Sequence, residues 1–388
     1  MLQKPSLLII LDGFGHSTKS FGNAIHQAHT PFLQYLHINR YPHSYVHASG
    51  AHVGLPNHFV GNSEVGHLTI GTGRIIEQPL TRLHRSIADQ TFFTHKILTS
   101  FLGTLGSSRL HIIGLLSYAG VHSHVKHLRA LLQSTQQHAI KNCFLHLFLD
   151  GRDEPPYSAL TYLKKLSAWI TLTHQSVTIG SLHGRFYAMD RDNNTERTNA
   201  SFYTLTQPPA KTSVISWKRL LHDYYHQKIT DEYIPPTLLH PAATIHHNDA
   251  LICFNIREDR IHQLALLLAH HLNDKNRFLS FTDYQLPLQH PILITQPVLH
   301  NTFKEVCSHH TIPLISITET EKRIPLTYFF GGYHKKSVLH EQQIIIPSIK
   351  VSHFDTSPHM SAPAITENIV HHVKTNKAAF LYNQLCKR

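Results

Sequence analysis

The sequence predicts an α/β protein with mostly parallel sheets, on three observations. Short, strongly apolar runs recur at 7–11, 111–116, 144–149, 177–182 and 251–255. Segments with apolar residues three and four apart separate several of them, and strands alternating with helices build parallel sheets. The length of 388 residues corresponds to two or three domains at about 150 residues each.

Each element has its own local reason. Leu7-Leu8-Ile9-Ile10-Leu11 is apolar throughout and ends at Asp12-Gly13, the pattern of a central parallel strand buried on both faces. Thr30-Pro31 reads as a helix cap followed by proline at the first helical position. Phe32, Leu33 and Leu36 follow at helical spacing, and Val65 and Leu68 mark a short helix from about Ser63. After the strand at 111–116, Val125, Leu128, Leu131 and Leu132 form the apolar face of a helix starting near His124. The strand at 144–149 is followed by a helix over 158–170. Proline-rich stretches at 207–210 and around Pro287, Pro291 and Pro297 are expected as loops, the second as a crossover between domains.

Composition excludes several classes. The chain is 41% hydrophobic and 15% charged, which is globular rather than disordered. No apolar run approaches the roughly 18 residues of a membrane helix, and the N-terminal run is too short for a signal peptide. Cys143, Cys253, Cys307 and Cys386 form no CxxC pair, so a reducing cytoplasm is expected. The net charge is +11, but no run of five or six basic residues occurs, so nucleic acid is not an expected partner. Histidines number 37 against 35 lysines and arginines. The pairs at 246–247, 270–271, 309–310 and 371–372 have no metal-ligand spacing, and the histidines read as polar surface positions.

Polar clusters fall where strands end. Asp12 ends the first, His122 lies beyond the second, and Asp150-Gly151-Arg152-Asp153 ends the third. His183-Gly184-Arg185 and Arg257-Glu258-Asp259-Arg260 end the next two. Open α/β sheets bind ligands at the carboxyl ends of their strands, so these clusters in register point to a site. Arg152, Arg185, Arg191, Arg257 and Arg260 suit carboxylate or phosphate. The alternative is ordinary ion pairing with Asp150, Asp190, Asp192 and Asp259. Ser63 at a helix N-terminus faces unpaired N–H groups, either as a plain cap or as a reactive hydroxyl. A metal ion shared with Asp12 is one way to activate it. His122 is open to either a general acid/base or a structural role. The residues thus describe a serine, a carboxylate and several arginines arranged for a small polyanion.

Several stretches, in order, carry a resemblance. They are Ile10-Leu11-Asp12-Gly13-Phe14-Gly15, Gly54-Leu55-Pro56, Gly61-Asn62-Ser63-Glu64-Val65-Gly66-His67 and Gly120-Val121-His122-Ser123-His124. Leu149-Asp150-Gly151-Arg152-Asp153, Tyr187-Ala188-Met189-Asp190-Arg191-Asp192, Glu319-Thr320-Glu321-Lys322 and Met360-Ser361-Ala362-Pro363 follow. Together they resemble the cofactor-independent (2,3-bisphosphoglycerate-independent) phosphoglycerate mutases over nearly the whole chain.

The resemblance implies an alkaline-phosphatase-like domain, incomplete at its C-terminus, with an inserted α/β transferase domain. The expected ranges are 1–77 plus 300–388 for the first and 78–299 for the second. It implies an isomerase that moves the phosphoryl group of 3-phosphoglycerate to Ser63 and returns it to the 2-oxygen. Asp12 and Ser63 would be metal ligands for two divalent ions, manganese in the family, with no 2,3-bisphosphoglycerate. His122, Arg152, Asp153, Arg185, Arg191, Arg257, Arg260 and Lys322 would hold the substrate. A cytoplasmic monomer without nucleic-acid or membrane partners is expected.

The chain also departs from the family. Tyr118-Ala119 stands where the family has Asp-Gly, Arg323-Ile324-Pro325 replaces Tyr-Ala-His, and Gly331-Gly332-Tyr333 replaces Asn-Gly-Gly. The family's remaining metal ligands lie in later motifs of the D-M-V-G-H and T-A-D-H-G type and in a later His. Codons for Tyr382–Arg388, read from the second base with third bases chosen freely, give the family's usual Ile-Ile-Asn-Tyr-Ala-Asn-Ala. The expectation is a single-base frameshift that truncates the gene or its recorded sequence and leaves this chain inactive. The competing expectations are a metal-dependent phosphatase of the same superfamily and a non-catalytic remnant.

Overall fold

The computed structural model describes residues 5–39, 41–173, 176–207, 213–334, 336–351, 356–375 and 379–386. Part of the proline-rich stretch at 207–210 and the basic tail Lys387-Arg388 lie outside the described residues. The chain forms two compact units, one from residues 1–78 with 297–388 and one from 79–296.

Ten strands are present in the described residues. They are β1 (Ser6–Asp12), β2 (Leu110–Leu116), β3 (Cys143–Leu149), β4 (Val177–Gly184), β5 (Thr237–Leu238), β6 (Ala250–Cys253), β7 (Phe278–Ser280), β8 (Leu314–Glu319), β9 (Glu341–Ile346) and β10 (Phe380–Cys386). In the unit spanning 79–296 the sheet order is β5-β4-β3-β2-β6-β7. All its ladders are parallel except β4 with β5. Every residue of β2 and β3 is buried, as expected of central parallel strands covered on both faces. The chain winds from β2 outward to β3 and β4, then returns to β6 on the other side. The crevice between β2 and β6 is therefore a topological switch point, where open α/β sheets bind ligands.

The unit built from both chain ends has a smaller parallel sheet, ordered β1-β10-β8-β9. Here the expected central strand at 7–11 is corrected: β1 is an edge strand. Leu8 and Ile10 pack toward Leu326, Phe330 and Tyr382. Leu7, Ile9 and Leu11 are 41%, 49% and 40% exposed. On that face the helix Ala362–Thr375 covers Ile315, Ile317 and Leu381 of the inner strands through Ile365 and Ile369. An apolar run identifies a strand, but its neighbours decide whether both faces are covered. Asp12 consequently ends a different sheet from the other strand-end clusters. The helix expected from Ser63 spans Ser63–Thr72 and is capped by the Asn62 side chain, which accepts from the Val65 N–H. Ser63 is thus the first helical residue rather than the cap.

The histidines also need correction, because His67, His111, His122, His127, His146, His183 and His372 are buried. Three of them form a line across the larger sheet. His111 Nε2 lies 3.1 Å from Asp249 Oδ2 and its Nδ1 2.9 Å from His146 Nε2. His146 Nδ1 is 2.7 Å from Ser181 Oγ, which is 2.8 Å from His183 Nε2. An ionised carboxylate only accepts, so His111 donates from Nε2 and its Nδ1 accepts. His146 then donates from Nε2, Ser181 donates to His146, and His183 donates from Nε2 to Ser181. Each proton points toward Asp249, and His183 Nδ1 is left buried without a partner. Arg109 completes the pair with Asp249 at the outer end.

Candidate active site

In the unit spanning 79–296, the site grows from the loop after β3. The Asp150 carboxylate oxygen Oδ1 accepts the backbone N–H groups of Arg152 at 3.2 Å and Asp153 at 2.9 Å. That closes a tight turn through Gly151, whose φ of 65° is left-handed and suits glycine. The same oxygen accepts Arg185 Nη1 at 2.6 Å, and Asp153 Oδ2 accepts Nη1 at 2.6 Å as well. Arg185 opens the helical turn Arg185–Ala188 directly after β4 and is 3% exposed. A Cβ on Gly184 would meet the Glu232 carbonyl oxygen at 2.3 Å, so only glycine lets the segment at 231–234 approach this loop.

The loops after β2 and β6 close the other side of the crevice. The Ile256 N–H donates to the His122 carbonyl at 2.7 Å. The His122 ring stands between two carboxylates, 4.0 Å from Asp153 and 3.8 Å from Asp259. Asp259 pairs with Arg191 at 3.2 Å and Arg257 at 3.6 Å. Arg152 reaches Glu232 at 3.4 Å. Arg260 has no carboxylate partner among the described ion pairs. Its pKa is lowered by burial and by the charges of Arg191, Arg185 and Arg152. An open cleft lined by Arg191, Asn193, Asp259, His262 and Tyr284 adjoins this cluster.

These surroundings set protonation states. Burial, with the charges of Arg185 and Arg257, lowers the His122 pKa to about 4, so the ring is neutral near pH 7 and serves as hydrogen-bond donor and acceptor. Burial acts to raise the Asp153 pKa, but the Arg185 hydrogen bond and charge hold it below the usual carboxylate range. The result is a neutral imidazole and a fixed carboxylate among guanidinium groups, one of which, Arg260, has no carboxylate partner among the described ion pairs and feels the charges of three others. Such crowding favours an anion, and hydroxyl groups would suit His122 and Asp153.

Asp12, Ser63 and Lys322 come together in the other unit. Ser63 Oγ donates to Asp12 Oδ2 at 2.9 Å. Lys322 Nζ reaches the same oxygen at 2.7 Å and Gln384 Nε2 at 3.0 Å. His67 Nδ1 donates to the Ser63 carbonyl at 2.7 Å. Burial would raise the Asp12 pKa, but hydrogen bonds from Lys322 and Ser63 lower it overall. For a metal centre, Asp12 and Ser63 supply two oxygen donors, and an ammonium already sits on the carboxylate. Among the described residues no group of three or more His, Cys, Asp or Glu is placed to hold a metal ion. These residues therefore do not fit a two-ion centre as they stand.

The structure joins His122, Arg152, Asp153, Arg185, Arg191 and Arg257 through carboxylates and the turn that Asp150 closes, and it sets Arg260 within the field of Arg191, Arg185 and Arg152 without a carboxylate partner among the described ion pairs. The ion pairing considered as their alternative is real for Arg185 with Asp150 and Arg191 with Asp259, whereas Asp190 pairs instead with Arg197. Sequence reasoning gave Asp150 and Asp259 only an ion-pairing alternative and gave Gln384 no role. The Asp-Gly-x-Asp pattern was a usable signal for Asp150, since Asp commonly caps the turn it opens. Nothing local marked Gln384, which reaches Asp12 because β10 pairs with β1.

Residues 83–292 match the family described as BPG-independent PGAM N-terminus (iPGM_N). The chain is 36% identical over 400 residues to 2,3-bisphosphoglycerate-independent phosphoglycerate mutase 2 of Methanosarcina barkeri, covering 97% of this chain and 76% of that one. It is 39% identical over 377 residues to the corresponding mutase of Legionella pneumophila, covering 94% and 73%. A Leishmania mexicana phosphoglycerate mutase crystallised at low cobalt concentration superposes with a TM-score of 0.72 at 27% identity, over 98% of this chain and 74% of that one.

Proposed function

The chain belongs to the 2,3-bisphosphoglycerate-independent phosphoglycerate mutases, and from that premise we propose that its arginine crevice binds phosphoglycerate and that Ser63 stands where the family's phosphoryl acceptor does. The observation that carries this is the crowding around Arg260. Cations packed at a switch point, one of them without a carboxylate partner among the described ion pairs, favour a polyanion.

The substrate carries a phosphate, a carboxylate and a hydroxyl. Arg152, Arg185, Arg191, Arg257 and Arg260 hold the first two by paired N–H donors, while Asp153 and neutral His122 hold the hydroxyl. In the family's reaction the bond from phosphorus to the 3-oxygen breaks as Ser63 Oγ bonds to phosphorus. Ser63 Oγ gives up its proton as the glycerate 3-oxygen takes one up, and the reverse steps deliver the group to the 2-oxygen. Asp12 orients the Ser63 hydroxyl by accepting its proton in a hydrogen bond, and Lys322, on the same Asp12 oxygen, would place a positive charge beside a phosphoryl group carried on Ser63. Among the described residues Asp12 and Ser63 are also the two ligands offered to a divalent ion, manganese by the resemblance, and no step here is routed through one. The hydrogen bonding of Asp12 by Lys322 favours a second reading, a chain that binds phosphoglycerate without turning it over.

No helix among the described residues is long and apolar enough to cross a membrane. A cytoplasmic monomer that leaves nucleic acid alone remains part of the proposal, supported for nucleic acid by the lack of any run of five or six basic residues. Isothermal titration with 3-phosphoglycerate tests the crevice. One molecule should bind per chain, and Arg257→Ala or Arg191→Ala should weaken binding by about tenfold or more, each removing charge-assisted hydrogen bonds. Binding that ignores both substitutions would refute it.

A further inference from the structure

Asp150 lies under the crevice rather than in it. It is 2% exposed, yet its Oδ1 gathers three donors, the N–H groups of Arg152 and Asp153 and Nη1 of Arg185. Both ion pairs described for Arg185 run through Nη1, one to Asp150 and one to Asp153. That nitrogen has two N–H bonds, so both are used. The Nε–Nη2 edge of the fork, whose parallel donors match a carboxylate or phosphate, takes part in neither pair.

We propose that Asp150 is a positioning residue for the substrate: through one oxygen it fixes the Arg185 guanidinium and the Arg152–Asp153 turn in a single geometry. The inference rests on Arg185 being a phosphoglycerate ligand, as proposed above. Two carboxylates approach one nitrogen, and Asp150 is the one that holds the guanidinium in place, because its oxygen is itself anchored by the Arg152 and Asp153 N–H groups. The two differ in burial, with the Asp150 side chain 1% and the Asp153 side chain 25% exposed. Asp150 therefore supplies the permanent counter-charge that a buried guanidinium needs. Asp153, at the wall of the crevice, is left able to turn to a substrate hydroxyl without stranding Arg185.

Asp150→Asn separates positioning from turn capping and from simple charge. Asparagine still accepts the two backbone N–H groups, so a residue that only caps the turn would leave binding unchanged. Removing a negative charge near an anion would, by field alone, tighten binding. Positioning predicts the opposite: titration with 3-phosphoglycerate should show affinity lowered tenfold or more. The same substitution should change affinity by less than twofold in an Arg185→Ala background. Unchanged or tighter binding by Asp150→Asn, with Arg185→Ala still weakening it, overturns the positioning role alone. Normal binding by Arg185→Ala overturns the ligand role on which it rests. The unsubstituted chain gives a check that needs no variant to fold. Nitrogen-15 spectra should show hindered rotation of the Arg185 guanidinium before any ligand is added, and free rotation would overturn the proposal.

Discussion

A polypeptide of these 388 residues should convert no measurable 3-phosphoglycerate to 2-phosphoglycerate in a coupled assay, with or without added manganese. The expectation rests on the surroundings of Ser63. Its hydroxyl donates to Asp12, but that carboxylate also takes Lys322 and Gln384 and its pKa lies below the ordinary value. A carboxylate so stabilised is a poor base for a serine hydroxyl, and a missing general base alone costs about 10²–10⁴ in rate. The described residues offer no further ligand cluster for a metal ion, which would be the other means of activation. Ser63→Ala should therefore leave the background rate where it was. Manganese-dependent turnover abolished by Ser63→Ala would show that Lys322 gives up Asp12 and that further ligands come from residues not recognised above.

Acid should unfold the unit spanning 79–296 well before ordinary acid denaturation. His111, His146 and His183 are all held neutral: burial lowers the first, takes the second well below its usual value, and takes His183 to about 3. In the unfolded chain they bind protons near pH 6.5. Below that pH the unfolded state holds more protons, so stability is full above about pH 6.5 and is lost as pH falls toward the folded values. Each proton bound by the unfolded chain alone amounts to about 1.4 kcal/mol per pH unit once titration of the unfolded chain is complete, and the three histidines act in the same direction. That is large against a total of about 5–15 kcal/mol. Asp249 adds to the trend, because His111 and Arg109 overcome its burial and lower its pKa. Asp231, raised by burial, opposes it. Both tryptophans, Trp169 and Trp217, lie in this unit, so their fluorescence reports its unfolding. Urea midpoints should fall steeply from pH 6.5 to 5, and His146→Gln should remove about one proton from the slope. A flat profile over that range would mean the histidines are not neutral and buried together.

What the sequence revealed follows from which signals are local. β2, β3, β4 and β6 were legible because apolar runs closed by polar clusters are local, and the arginines were legible because they follow those runs. β1 carried the same pattern, yet its position at the sheet edge depends on β10, from the far end of the chain. The line from His183 to Asp249 was illegible for a related reason. His111, His146 and Ser181 meet only through strand register, which no single strand encodes, so buried imidazoles looked like surface ones. Asp150 sat inside a quoted motif, but its hold on Arg185 appears only when β3 and β4 pair.

The most direct test of the central claim, that the crevice at the β2–β6 switch point is a phosphoglycerate site, is a crystal of this chain soaked in 3-phosphoglycerate. The prediction is density for one molecule, with its phosphate and carboxylate within hydrogen-bonding distance of Arg185, Arg191, Arg257 and Arg260, and a hydroxyl facing Asp153 or His122. An empty crevice at saturating ligand, or a ligand bound elsewhere on the chain, would contradict it.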